Sequence, residues 1–99
     1  MSQSIYKVFH VKFKEAWYQL SKPEQDSLLH KVEATLAQVG GKTQVLCNSN
    51  WSSETWMGFG LEIFPNIEAV QKHDQLLQEL NWFRYVDSFT SLGTEWSTS

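Results

Sequence analysis

One stretch of the chain, residues 55–80, restricts the possible folds more than any other part of it. Its sequence, TWMGFGLEIFPNIEAVQKHDQLLQEL, begins with a run that is apolar at nearly every position and predicts a strand. Pro65 ends that strand, and Asn66 is a favoured capping residue for the helix expected over 67–80. The apolar side chains of this helix recur at helical spacing, and His73 lies among them. The pattern therefore predicts a strand that leads directly into a helix packed against it.

The other elements follow from the same two periodicities. Residues 5–13 alternate with period two, which predicts a strand whose odd-numbered side faces the core. Ser21 and Glu24 have the spacing of a capping box, so a helix is expected from there to about Val39, ended by two glycines. Two further strands are expected, over 42–50 and 82–92.

The predicted order is β-α-β-β-α-β, which is the arrangement of the ferredoxin-like α+β fold. Right-handed crossovers place both helices on one face of an antiparallel sheet and leave the other face open. Because the chain has only 99 residues, we expect a single domain over 1–99, with a core over about 5–92 and a tail over 93–99.

The strand before Pro65 has two unlike sides. One side is an unbroken row of large apolar residues, which we expect to face the helices: Met57, Phe59, Leu61 and Ile63. The other side is expected on the open face beside Tyr6 and His10, and it consists of Trp56, Gly58, Gly60, Glu62 and Phe64. An apolar patch of this kind rarely stays uncovered, so the sequence predicts a homodimer joined through its sheet faces.

Composition restricts the possible partners. A net charge of −3 has the wrong sign for a phosphate backbone, so no nucleic-acid partner is expected. No signal sequence or membrane-length apolar run is present, so no membrane partner is expected either. The single cysteine, Cys47, cannot form an intramolecular disulfide, which favours a cytoplasmic protein. Five Trp, three Tyr and six Phe favour an interface that uses aromatic side chains.

The candidate catalytic residues are His73, Glu62 and His10. A buried imidazole is either a structural residue or a general base, and a buried carboxylate beside an imidazole forms an acid–base pair. The alternative for Glu62 is a salt bridge with Arg84 or Lys12. We expect His10 on the same face as Glu62, with His73 approaching from the helix side, so no shared metal site is expected.

A ligand site is predicted on the open face. Gly58 and Gly60 remove two side chains from the middle of a strand, which leaves a hollow. With Trp56, Tyr6 and Phe64 as its walls, the hollow predicts a pocket for a small apolar or aromatic molecule. The alternative is that aromatic side chains of the partner subunit fill it.

Two segments resemble the dimeric α+β barrel proteins, in which two ferredoxin-like protomers pack sheet to sheet. They are FPNIEAVQKH at 64–73 and NWFRYVDSFTSLG at 81–93. The resemblance implies activities such as those of cofactor-free monooxygenases, haem-degrading monooxygenases and small isomerases. The haem-degrading branch uses an Asn on the first strand, a Trp, and a His on the second helix. Of these three residues, only the His has a counterpart in this chain, His73, so no cofactor is expected.

Two shorter segments carry resemblances of their own. Residues 16–25, AWYQLSKPEQ, are similar to the small darcynin-type proteins, whose function is uncharacterised. Residues 57–64, MGFGLEIF, resemble the RNA-recognition consensus but lack its basic residue and one of its stacking aromatics. Two hypotheses for function therefore stand: a small-molecule site like that of a cofactor-free monooxygenase or isomerase, and a non-catalytic homodimer whose open face serves only association.

Overall fold

The computed structural model describes residues 3–97, so the last two residues of the predicted tail lie outside the described residues. The strands are β1 (Ile5–Phe13), β2 (Lys42–Asn48), β3 (Gly58–Phe64) and β4 (Val86–Gly93). The helices are α1 (Glu15–Tyr18), α2 (Lys22–Gln38) and α3 (Ile67–Glu79), and a 3-10 turn, Trp82–Arg84, precedes β4. The sheet is antiparallel with the order β2-β3-β1-β4, so the predicted ferredoxin-like fold is confirmed.

Local signals explain where the two long helices begin and where α2 ends. The Ser21 hydroxyl accepts a hydrogen bond from the Glu24 N–H, and the Glu24 carboxylate accepts one from the Ser21 N–H, which completes the predicted capping box. Gly40, with a φ of 78°, terminates α2 in the left-handed region that glycine tolerates best. The Asn66 side chain accepts a hydrogen bond from the Ala69 N–H at 2.8 Å and so caps α3.

Several element boundaries differ from the sequence prediction; β2 ends at Asn48 instead of residue 50, and β3 begins at Gly58 instead of residue 55. The expected connection after β1 contains the short helix α1, whose Trp17 is buried and stacks on Phe13 with ring centroids 4.3 Å apart. The last strand begins at Val86 instead of residue 82, because the chain first forms the 3-10 turn. The start of that turn is set by Asn81, which has a positive φ of 57°.

The predicted orientation of β3 is wrong. Phe64, expected on the open face, is fully buried in a cluster with Leu36 of α2 and with Ala69 and Val70 of α3. Residues that pair directly across antiparallel strands share a face. Because Phe9 pairs with Gly60, the odd side of β1 and the even side of β3 both face the helices.

The hollow predicted at the glycines is filled by the chain itself. A Cβ atom on Gly60 would lie 2.7 Å from Cζ of Phe9, so the Phe9 ring occupies the space that a side chain would need. A Cβ atom on Gly58 would lie 3.0 Å from the carbonyl oxygen of Cys47. Gly60 therefore leaves room for the Phe9 ring and Gly58 for the backbone of β2, and the two glycines lie on the helix-covered face instead of forming a pocket on the open face.

The face of the sheet that the helices leave uncovered is rich in exposed apolar side chains. Four of them are between 38% and 61% exposed: Val8, Val45, Phe59 and Phe89. Tyr6, His10 and Lys12 alternate with Lys7 and Phe9 along β1 and therefore lie on the same open face. No helix among residues 3–97 has both the length and the apolar character needed to cross a membrane.

Candidate active site between the helices and the sheet

A cavity of about 300 Å³ lies between the sheet and its covering helices. This volume is at the lower end of the range of small-molecule sites. Its walls are mostly apolar and come from the sheet, from α2 and α3, and from the 3-10 turn: Phe9, Val11, Phe13, Leu29, Val32, Leu36, Leu46, Leu77, Trp82 and Phe83. Leu29, Leu46 and Phe83 are each more than a third exposed, so the cavity wall is partly open to solvent at these residues.

One end of the cavity is polar. Lys7, Glu62 and Thr43 lie in one row across β1, β3 and β2, since Lys7 and Thr43 both pair with Glu62. Lys7 Nζ is 4.0 Å from Glu62 Oε1, and the two side chains are only 15% and 14% exposed. Burial raises the pKa of the Glu62 carboxyl, and the Lys7 charge opposes that rise in part. This arrangement places a carboxylate of increased basicity against an apolar cavity.

His73 completes the polar end from the helix side. It is 3% exposed on α3, and its ring lies against Phe64 with the centroids 5.3 Å apart. Burial lowers the pKa of His73 to about 4; Lys7 adds to this effect and Asp74 opposes it. The imidazole is therefore neutral at physiological pH, and its Nδ1 is buried without a hydrogen-bond partner.

An unpartnered buried nitrogen beside a cavity is a position where a ligand can supply the missing hydrogen bond. A neutral imidazole offers one donor and one acceptor, so it can bind either a hydroxyl or a carbonyl group. His73 and Glu62 thus line the same cavity, as an acid–base pair requires.

His10 does not belong to this constellation. It pairs with Phe59, so it projects from the open face, and the expectation that it shares a face with Glu62 is wrong. The centroid of its ring lies 5.9 Å from the ring centroid of Trp56, 5.8 Å from that of Phe59 and 6.3 Å from that of Phe89. His10 is thus surrounded by aromatic side chains on the surface opposite to the cavity.

The predicted ligand-binding residues are likewise divided. Trp56 lies on the open face, where Lys12 Nζ is 5.8 Å from the centre of its ring. Tyr6 is also on the open face, and its hydroxyl donates a hydrogen bond to Glu95 at 2.6 Å, which raises the pKa of the Tyr6 phenol. None of Trp56, Tyr6, Gly58, Gly60 and Phe64 lines the cavity.

Sequence reasoning missed Lys7. The salt-bridge partners expected for Glu62 were Arg84 or Lys12, and Lys7 was not among them. The usable signal was that Lys7 interrupts the core side of β1 while Glu62 interrupts an apolar strand. Two opposite charges on core-facing positions of adjacent strands indicate a buried pair.

The donor sets for metals and haem are incomplete. Within residues 3–97, no group of three or more His, Cys, Asp and Glu side chains could hold a metal ion. β1 carries no asparagine, α3 carries no tryptophan, and Trp56 lies on the opposite face of the sheet from His73. The residues that a haem-degrading site would require are therefore not assembled around His73.

The fold, but not the sequence, is similar to proteins of known structure. No protein-family profile and no curated protein matches the chain. A chlorite dismutase variant from Candidatus Nitrospira defluvii aligns with 10% identity and a TM-score of 0.77, over 99% of this chain and 42% of that one. The chain thus spans less than half the length of that enzyme.

Two neighbours of similar size also share the fold. SnoaB, a cofactor-independent oxygenase from Streptomyces nogalater, aligns with 13% identity and a TM-score of 0.61, over 98% of this chain and 97% of that one. A hypothetical protein from Arabidopsis thaliana aligns with 13% identity and a TM-score of 0.58, over 100% of this chain and 93% of that one. The chain thus shares the ferredoxin-like α+β fold of these structures, whereas its similarity to the darcynin-type proteins stays a prediction.

Proposed function

We propose that the chain binds a small aromatic molecule in the cavity beneath α2 and α3 and removes an acidic proton from it without a cofactor. One observation carries the proposal: Glu62, Lys7 and His73 line the same cavity, whose remaining walls are mostly apolar and aromatic. A reaction that passes through a resonance-stabilised anion needs a base, a counter-charge and an apolar pocket.

Each polar side chain has a defined role. Glu62 is the general base, because burial makes its carboxylate more basic than a solvated one. The Lys7 ammonium stabilises the negative charge that develops on the oxygen of the substrate. Neutral His73 orients the substrate by donating a hydrogen bond from Nδ1–H, at the atom that lacks a partner, to the substrate oxygen. His10, on the other face, has no part in this step.

The anion has two possible fates. Return of the proton to a different carbon is an isomerisation. Alternatively, dioxygen adds at the carbanion carbon, and loss of water from the hydroperoxide leaves a carbonyl, so that CH2 and O2 give C=O and H2O. The four electrons that reduce the dioxygen all come from the CH2 group of the substrate, so no external reductant is needed. The similarity of the fold to that of SnoaB, described as a cofactor-independent oxygenase, supports the second route as a proposal.

Proton abstraction can be measured apart from oxygen chemistry. We expect the protein to accelerate exchange of the benzylic α-protons of 2-tetralone in D2O, followed by NMR. Glu62→Gln should reduce the acceleration about 100-fold, the lower range of general-base effects. His10→Gln, on the opposite face, is the matched control and should leave the rate unchanged. Equal rates for the wild type and Glu62→Gln would disprove the assignment of the base, and oxygen consumption under air would identify the oxygenase route.

A homodimer joined through the open face is the second part of the proposal. The exposed apolar side chains on that face support it, because patches of this kind usually mark association sites. If the cavity proved inert in exchange and in oxygen consumption, the remaining function would be that of a non-catalytic homodimer.

A further inference from the structure

The polar end of the cavity contains a single cationic side chain. Of the described residues that line the cavity, Lys7 alone carries a permanent positive charge, while Glu62 and Glu33 carry carboxylates. Glu33 is exposed on α2, so its carboxylate is hydrated, whereas Glu62 is largely buried beside Lys7. The interior charge without a ligand is therefore one ammonium and one carboxylate.

The contact between Lys7 and Glu62 is loose. Their 4.0 Å separation is longer than the distance of about 2.7–2.9 Å typical of a charge-assisted hydrogen bond. No direct hydrogen bond joins the two groups at this distance. An ammonium has three donors. Lys7 can therefore turn a donor towards an oxygen in the cavity without breaking a close contact.

We propose that the cavity binds anions that resemble the enolate left after proton abstraction, that Lys7 exchanges its partner from Glu62 to an oxygen of the anion, and that Glu62 takes up a proton as the anion enters. Glu62 then has the same protonated form that it has once it has removed a proton from a neutral substrate. The inference rests on the proposed function for the location of the site and adds the charge of the ligand. The class of ligand is an aromatic carboxylate or enolate.

The charges around Glu62 explain the proton uptake. Two anions facing one ammonium in a poorly solvated cavity repel each other, and protonation of the more weakly hydrated carboxylate relieves this repulsion. Besides Lys7 on β1, the titratable groups that face this end are His73 on α3 and, towards solvent, Glu33 on α2. His73 stays neutral and can bind the second oxygen of the ligand through its unpartnered Nδ1.

The proton balance depends on the form in which the ligand arrives. A ligand that is already ionised in solution binds together with one proton from the solvent, which resides on Glu62. A ligand that enters as a neutral acid gives its own proton to Glu62, and no net exchange with solvent occurs. Proton uptake thus reports the exchange of partners by Lys7, whereas the binding affinity alone does not.

The test uses two probes of the same shape, 2-naphthoate and the neutral 2-naphthamide, titrated into the protein at pH 7 by calorimetry. Repetition in buffers of different ionisation enthalpy yields the number of protons taken up. We expect naphthoate to bind at least about tenfold more tightly than naphthamide. We also expect uptake of about one proton per naphthoate.

Three variants separate the steps. Lys7→Met should abolish the preference for naphthoate, whereas Lys12→Met, on the opposite side of the same strand, should preserve it. Glu62→Gln should retain naphthoate binding but lose the proton uptake. If Lys7→Met does not fold, the uptake measured in the wild type and in Glu62→Gln decides the question.

Equal affinity for the two probes, naphthoate binding without proton uptake, or no binding of either probe would each overturn the inference. Exchange of 2-tetralone that depends on Glu62 would in those cases leave the proposed function intact. Loss of that exchange together with normal proton-linked naphthoate binding would show the converse, an anion site without catalysis.

Discussion

Lys7 and Glu62 pair directly across β1 and β3, with Nζ and Oε1 4.0 Å apart on the face of the sheet that the helices cover. Each side chain is about one-seventh exposed, so neither charge is fully hydrated. Their separation in sequence means that the pair exists only after the sheet has formed. Removal of a single partner from such a buried pair lowers the stability of the fold most, since the remaining charge has no counter-ion.

A double-mutant cycle tests the interaction of this pair. Lys7→Met should lower the free energy of unfolding by about 1–2 kcal/mol, less than for a fully buried pair because Glu62 can take up a proton. Adding Glu62→Gln should recover part of the loss. Urea unfolding at pH 7 measures each corner of the cycle, with Lys12→Met as the reference on the open face. Strict additivity of the two single effects would contradict the coupling.

His73 should make stability depend on pH. Its pKa is about 4 in the folded chain and about 6.5 when solvated, so the unfolded state binds more protons between these values. Stability should therefore fall as the pH decreases from about 6.5 to 4, by up to about 3 kcal/mol. Glu62 acts in the opposite direction, because its raised pKa means that the folded state binds the extra proton.

Replacement of His73 isolates its contribution to that dependence. His73→Leu should flatten the decline in the free energy of unfolding between pH 7 and pH 4.5, while His30→Leu, at an exposed position of α2, should not. Urea midpoints at the two pH values provide the measurement. A wild-type midpoint that rises on acidification would mean that Glu62, and not His73, dominates this range.

Gly60 should tolerate no side chain. Its Cβ would lie 2.7 Å from Phe9 Cζ and 2.9 Å from the Val45 carbonyl oxygen. Gly60→Ala should therefore destabilise the fold by about 1–3 kcal/mol, the range for overpacked cores. Gly93→Ala is the matched control, since nothing lies within 4 Å of the added atom. Thermal unfolding followed by circular dichroism should separate the two variants, and equal midpoints would contradict the packing of Phe9 over Gly60.

The open face should control the oligomeric state. Phe89 and Leu92 are both at least half exposed on β4, but Phe89 pairs with His10 on the open face and Leu92 pairs with Lys7 on the covered face. We expect sedimentation of the wild type at twice the 11.5 kDa protomer mass and of Phe89→Lys at the protomer mass. Leu92→Lys should behave like the wild type. A wild type that sediments as a single protomer at micromolar concentration would exclude the dimer.

Local sequence determined the order of the elements and the ends of the helices. The capping box at Ser21, the left-handed Gly40 and the Asn66 cap each depend on neighbours within a few residues, and all three are found as predicted. The core side of β1 was also predictable, because His10 and Lys12 alternate with Phe9, Val11 and Phe13, and Lys7 is the single interruption on the core side.

The orientation of β3, and with it the location of the candidate site, was decided only by tertiary structure. The periodicity of β3 favoured the wrong side, because its row of large apolar residues, Phe59, Leu61 and Ile63, lies on the open face while Gly58 and Gly60 lie on the covered face. The register with β1 sets the orientation instead, by placing Gly60 under the Phe9 ring and Glu62 opposite Lys7. Steric fit and charge pairing between residues more than fifty positions apart are properties of the assembled sheet, and no local pattern contains them.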